Sequence, residues 1–211
     1  MEQSENLFFN NNFASKYDDL VRKQNWYGSE VLFGMIYERI KSGDKILDLG
    51  IGTGLSAFAL YKVGLEVYGL DYSLEMLKIC EEKGFTKDLK QFDLNDSPLP
   101  YPDQFFDHIS ANAILYFIEN LEALFKEVSR IAKKKGIWAF IIEKQTKKSG
   151  NPIVKNAPGK NGLITYQHSH QYISSLLELN GLTLLKELEF TCTNFQMEGK
   201  TVPFSLYVAE I

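Results

Sequence analysis

Cysteine is scarce in this chain: two in 211 residues, Cys80 and Cys192, without the C-x-x-C spacing of a redox or zinc motif. That excludes a disulfide-built scaffold and implies reduced thiols in a reducing compartment. Long apolar runs are also missing, and nothing approaches the roughly 18 residues of a membrane span. The N-terminal stretch MEQSENLFFNNNF carries acids where a secretion signal carries bases. A cytoplasmic protein with no membrane partner is therefore expected. Basic excess is lacking as well: the net charge is −4, whereas duplex-binding surfaces are usually basic, so nucleic acid is not expected as a partner. The single basic cluster, Lys133 to Lys135, falls at the end of a predicted helix, where cations suit the helix dipole. There is no internal repeat. What remains is an ordinary globular composition, 45% hydrophobic and 24% charged, long enough for one domain with a substantial core. A monomer or homodimer is expected.

The pattern along the chain is alternating. Residues 12–41 predict helix, with Tyr17, Leu20 and Val21 on one stripe, Val31, Phe33, Met35, Ile36 and Ile40 on another, and Gly43 as stop. Short apolar strands are predicted at 45–50, 66–71, 89–94, 105–114 and 136–143. Helices are predicted at 55–63, 73–84 and 119–132, with Ser73 as N-cap and Gly84 as stop for the second. Strands alternating with helices predict a parallel sheet covered on both faces, and near-continuous apolar strands agree with that. Residues 144–165, rich in Lys, Asn, Pro and Gly, predict a long loop that could hold a short hairpin or act as a lid. A helix at 168–180 follows. The segments 182–192 and 202–211 then have no helix between them and must pair antiparallel. The expectation is an α/β domain over 44–211 with five parallel strands and a terminal hairpin, preceded by an N-terminal helical lid over 1–43.

The most informative segment is ILDLGIGTG, residues 46–54. A strand carries Asp48, and Gly50, Gly52 and Gly54 follow before a helix. Lacking Cβ, these glycines allow a sharp turn and close approach of a ligand to backbone. Asp71 ends the second strand about 20 residues on, where a carboxylate can accept from both hydroxyls of a ribose. Asp93 is expected at the end of the third strand, where an adenine amino group would lie. Three acids at the carboxyl ends of neighbouring strands coincide with the place where open α/β sheets bind ligands. The dinucleotide fingerprint would put Gly or Ala at position 55, and this chain has Leu55. Asp48 beside the loop would repel a diphosphate and attract a ligand with an α-ammonium group. S-adenosylmethionine has that ammonium and no phosphate.

ILDLGIGTG, VYGLDYSLEML and QFDLND, followed by FFDHISANAILYF, resemble the successive motifs of class I S-adenosylmethionine-dependent methyltransferases over roughly residues 44–143. The stretch from Leu99 to Trp138 is similar to the small-molecule branch labelled type 11 or 25, and more distantly to the group of the Williams–Beuren region methyltransferase-like protein. The resemblance implies a Rossmann-like doubly wound sheet of seven strands in the order 3-2-1-4-5-7-6. It implies that Asp48, Gly50, Gly52 and Gly54 surround the methionine part and that Asp71 holds the ribose. Tyr72 and Met76 would lie beside the adenosine, Asp93 and Leu94 at the adenine, and Asn112 near the sulfonium. Tyr17, in a Tyr-Asp pair, would close over the cofactor carboxylate. Ile51 departs from the Cys or Ala common among relatives. The implied product is S-adenosylhomocysteine and the implied partner a small-molecule acceptor.

Such chemistry needs alignment and exclusion of water more than an acid or base. If a base is used, the candidates are Tyr116, His168 and His170. His108, inside the fourth strand, reads as packed or hydrogen-bonded. The H-x-H pair at 168–170 lacks a third ligand, so no metal is expected. Phe13, Tyr17, Trp26, Tyr27 and Tyr116 are candidates for cavity walls by cation–π attraction. Two rivals stand beside this: an NAD(P)-dependent oxidoreductase, opposed by Leu55, and a non-catalytic S-adenosylmethionine-binding regulatory module.

Overall fold

The computed structural model describes residues 11–24, 26–146, 150–158, 162–193 and 201–211. Residues 1–10 of the expected lid, and 147–149 and 159–161 of the expected loop, lie outside the described residues.

The N-terminal region is not one continuous helical stretch. It forms α1 (Asn11–Ala14), α2 (Tyr17–Lys23), α3 (Gly28–Ile36) and a 3-10 turn, Tyr37–Arg39. The break before α3 is made by packing: Trp26 is buried, edge-on to Phe204 at 5.1 Å between ring centroids. A Cβ on Gly28 would come within 2.4 Å of the Trp26 ring, so the chain needs glycine there. At Ile40 the backbone turns extended, with φ −96° and ψ 149°.

The core is a seven-stranded sheet. Parallel strands β1 (Lys45–Leu49), β2 (Glu66–Asp71), β3 (Thr86–Gln91), β4 (Phe106–Ala111) and β5 (Ala132–Glu143) alternate with α4 (Ala57–Lys62), α5 (Leu74–Glu82) and α6 (Glu122–Ile131). A small separate hairpin, β6 (Ile153–Lys155) with β7 (Tyr166–His168), then precedes α7 (His170–Leu179). The last two strands, β8 (Thr183–Thr193) and β9 (Thr201–Glu210), run antiparallel to each other, and β9 lies between β8 and β5. The order is β3-β2-β1-β4-β5-β9-β8. This is the predicted order, with the last two strands renumbered because the small hairpin intervenes.

Period-two alternation explains the two-faced core. Along β5, Trp138, Phe140 and Ile142 join Leu47, Leu49 and the helices α6 and α7 on one face. Ile137, Ala139 and Ile141 join Ile46, Val67 and α3, α4 and α5 on the other. Among the described residues no helix is long and apolar enough to cross a membrane.

Several boundaries shift from the prediction. β3 starts at Thr86 and stops at Gln91, so Asp93 belongs to the turn beyond it. There its Oδ1 accepts from the Asn95 backbone N–H at 2.9 Å, a local bond that competes with strand pairing. β4 stops at Ala111, because Ala113 adopts φ +58° and a 3-10 turn, Leu115–Phe117, follows. The lysines at 133–135 lie at the start of β5, not at a helix end, and Lys133 pairs with Asp107 at 2.7 Å. His108 is packed and hydrogen-bonded as expected, its Nε2 2.9 Å from Asp44.

Candidate functional site

The order 2-1-4 makes the chain leave the tips of β1 and β4 in opposite directions, which opens a crevice at their carboxyl ends. A cavity of about 530 Å³ lies there. Tyr17, Gly50, Gly52, Asp71, Tyr72, Met76, Asp93, Leu94 and Asn112, all singled out from the sequence, line it. Tyr116 lines it as well. Asp48 and Gly54 do not.

The floor is the glycine turn. Gly50 has φ +68°, and a Cβ there would lie 2.5 Å from the Ile114 side chain. Only a bare backbone lets the β1 and β4 tips come this close. Gly54, at φ +79°, faces the core: its missing Cβ leaves room for the Phe85 ring and the Cys80 sulfur. Thus Gly50 and Gly52 belong to the cavity surface and Gly54 to the packing behind it.

Acids surround this turn. Asp71 accepts from the Gly52 N–H at 2.7 Å and the Ser73 N–H at 2.8 Å. One carboxylate thereby ties the glycine turn to the start of α5, where the Ser73 hydroxyl caps the helix. Burial pushes the Asp71 carboxyl above its usual value, with those N–H bonds opposing. Asp48 sits one layer behind the wall, 3% exposed, and accepts from the Ser110 hydroxyl at 2.7 Å. Burial pushes it up to about 7, Ser110 opposes, and the charge of Asp71 adds to the rise. Burial and the neighbouring Asp71 and Asp18 hold the Tyr17 hydroxyl protonated far above its ordinary range.

Helix α2 is fastened over this turn. Asp18 accepts from the Thr53 hydroxyl and pairs with Lys83 at 2.7 Å, which sets Tyr17 on the cavity. Of the other aromatic candidates, Phe13 packs on Tyr17 with ring centroids at 5.8 Å. Trp26 is core, and the Tyr27 hydroxyl donates to the Thr191 carbonyl. None of these three lines the cavity.

Toward β5, Asn112 donates to Ser29 Oγ at 2.9 Å and to Ser56 Oγ at 2.5 Å, which joins the β4 tip to α3 and the entry of α4. The 3-10 turn adds Tyr116 and Phe117, and residues between β6 and β7 add Leu163 and Ile164. The histidine pair diverges, because Ser169 between them is the N-cap of α7. His168 is buried and donates through Nε2 to the Glu119 carbonyl at 3.0 Å. Burial lowers its pKa, so it is a neutral fastener of β7. His170 faces outward, beside Glu187 at 3.1 Å and the Tyr207 hydroxyl at 3.2 Å. Of the three candidates for a base, Tyr116 lines the cavity and neither histidine does.

One buried acid escaped the sequence reading. Glu143 ends β5 at 0% exposure, and its Oε1 accepts from Gln167 Nε2 at 2.7 Å and Asn156 Nδ2 at 3.1 Å. It fastens both arms of the small hairpin to the sheet. Burial raises its pKa, and the two amides oppose. A signal was present: GIWAFIIE is an apolar run ending in one acid at the carboxyl edge, where ligands bind.

The donor set suits a ligand with a cationic group and a sugar. Among the described residues the only charged side chains lining the cavity are Asp71 and Asp93, with Asp48 behind them. That set would repel a pyrophosphate and attract an ammonium.

Residues 47–140 match the family model described as a methyltransferase domain. Two similar curated relatives are a phosphatidylethanolamine N-methyltransferase of Cereibacter sphaeroides and a demethylmenaquinone methyltransferase of Geobacillus stearothermophilus. The first is 35% identical over 100 residues, covering 44% of this chain and 48% of the relative. The second is 36% identical over 112 residues, covering 50% and 48%. The chain thus spans about half the length of the curated relatives it matches. A solved S-adenosylmethionine-dependent methyltransferase from Methanosarcina mazei superposes with a TM-score of 0.71 at 17% identity, over 83% of this chain and 96% of that one. Residues 47–140 are therefore similar to a methyltransferase domain, and the described chain has the Rossmann-like fold of that solved S-adenosylmethionine-dependent methyltransferase.

Proposed function

We propose that this chain transfers a methyl group from S-adenosylmethionine to a small-molecule acceptor. The observation that carries this is a pair of carboxylates at the glycine turn, half-buried Asp71 on the cavity and buried Asp48 behind it, with no lysine or arginine lining the cavity among the described residues. Asp71 keeps lone pairs for the ribose hydroxyls while its N–H bonds hold it still. Gly50 and Gly52 offer bare backbone to the methionine part, and Asp48 supplies field through the wall. Gly54 serves the shape of the turn. Tyr72 and Met76 flank the adenosine, Asp93 and Leu94 receive the adenine, Asn112 borders the sulfonium, and Tyr17 covers the carboxylate end. In this proposal residues 1–43 act as a lid on a single domain formed by 44–211.

The cofactor, when bound, supplies an electrophilic sulfonium methyl that a nucleophile can displace in line. The residues then contribute position and dryness. The lid helix is fastened through Asp18, and the wall from Ile114 to Ile118 excludes water. Positioning of this kind is worth on the order of 7–11 kcal/mol. A nicotinamide dinucleotide is disfavoured, because its pyrophosphate would lie on the glycine turn beside Asp48.

The test is a thermal scan with S-adenosylhomocysteine at 100 times its Kd. It should stabilise the protein by about 2.7 kcal/mol. Asp71→Ala should abolish that shift, and NADH should produce none. A flat scan with saturating S-adenosylhomocysteine would sink the proposal.

A further inference from the structure

The cavity runs on past the residues assigned to the cofactor. In the placement proposed above, the tips of β1, β2 and β3 lie under the adenosyl and methionine parts, which leaves the side of β4 and β5 to the acceptor. The wall there is made by Ile114, Tyr116, Phe117 and Ile118 after β4, with Leu163 and Ile164 from between β6 and β7. Among the described residues this wall holds no charged side chain, and its polar side-chain atom is the phenol oxygen of Tyr116.

Tyr116 is 7% exposed and its ring is packed against Phe117, 4.7 Å away, and Phe204, 6.2 Å away. Its hydroxyl makes no hydrogen bond among the described residues. Buried tyrosine hydroxyls normally find a partner, so this one is available to a ligand in the cavity it lines. Tyr17 and the buried Glu143 both act on it electrostatically. An anionic ligand would meet no lysine or arginine among the described lining residues, whose charged members are Asp71 and Asp93. An uncharged apolar ligand loses nothing there and gains the buried wall.

We propose that the acceptor is an uncharged, predominantly apolar small molecule that presents a hydroxyl or amino nucleophile to the Tyr116 hydroxyl. This rests on the cofactor reading above, since it takes the acceptor end to be the end that the cofactor leaves. It excludes acceptors carrying a carboxylate or phosphate, a phospholipid headgroup included.

Binding to the full chain loaded with S-adenosylhomocysteine tests this without turnover. Calorimetry or ligand-observed NMR compares 4-ethylphenol, 4-hydroxybenzoate and ethylbenzene, and in parallel 4-ethylaniline and 4-aminobenzoate. Each uncharged polar probe should bind at least ten times more tightly than its carboxylate partner. The advantage of 4-ethylphenol over ethylbenzene should fall by about two- to tenfold in Tyr116→Phe, the loss of one neutral hydrogen bond. Equal or tighter binding of the carboxylates overturns the proposal, and so does failure of both uncharged polar probes to bind. An unchanged phenol-to-ethylbenzene ratio in Tyr116→Phe also overturns it. The wild-type comparison decides the charge question even if that variant does not fold. If S-adenosylhomocysteine itself does not bind, the cofactor reading falls and takes this one with it. If it binds and the discrimination is missing, the acceptor inference alone falls.

Discussion

Affinity for the cofactor should climb steeply between about pH 5 and 7, and Asp48 is the reason. Its carboxyl is 3% exposed and pushed from the usual 3.8 up to about 7, chiefly by burial. At about 1.36 kcal/mol per unit, that rise amounts to roughly 4 kcal/mol between its two protonation states. The sign follows from proton counting. Between pH 4 and 7 the folded chain holds a proton on Asp48 that the unfolded chain has lost. The stability from the neutral buried carboxyl is therefore fully present below about pH 4 and is lost as pH rises through 7. An α-ammonium placed about 5 Å away, at an effective dielectric constant of about 20, would favour the ionised form by about 3 kcal/mol. That returns Asp48 about two units, to near 5. Binding then expels up to one proton between pH 5 and 7 and tightens by up to about tenfold per pH unit. Calorimetry with S-adenosylhomocysteine across this range, in two buffers of different ionisation enthalpy, counts the proton directly. Asp48→Asn should bind more weakly at pH 7 and with a flat profile from 5 to 7. Wild-type binding that releases no proton, or an Asp48→Asn variant with the same slope, refutes the reasoning.

Two glycines one turn apart should separate fold from site. Gly50→Ala combines left-handed strain of about 1–2 kcal/mol with a 2.5 Å clash on Ile114, and should lower Tm and remove the cofactor-induced shift. Gly54→Ala meets the Phe85 ring at 2.6 Å and Cys80 at 2.7 Å, away from the cavity, and should lower Tm while calorimetry finds much of the affinity intact. Arg130 donates to Glu127, to the Leu99 and Tyr101 carbonyls and to Asp103. Arg130→Ala should cost about 2–3 kcal/mol in urea unfolding at pH 7. Arg130 holds the Glu127 carboxyl below its usual value, so that pair stabilises above about pH 4.5 and its share is lost as pH falls further. The variant should show a smaller loss over that acid range.

Local pattern determined the larger part of this protein. Short, near-continuous apolar runs placed the strands of the sheet, the glycines at 50, 52 and 54 marked the turn, and Asp71 stood at a strand tip. Each depends on dihedral preference or side-chain alternation within a few residues. The terminal hairpin was legible because two adjacent strands without a crossover can pair only antiparallel. Contacts between distant segments decided the rest. Whether Asp48 faces the cavity or stands behind it depends on Ser110, 62 residues away. The breaks among the N-terminal helices depend on Trp26 finding Phe204. The divergence of His168 and His170 depends on Glu119 and Glu187. Glu143 became a fastener only when Asn156 and Gln167 folded back onto it. Burial sets the charge state of such groups, and burial is a property of the assembled sheet that no stretch of sequence holds by itself.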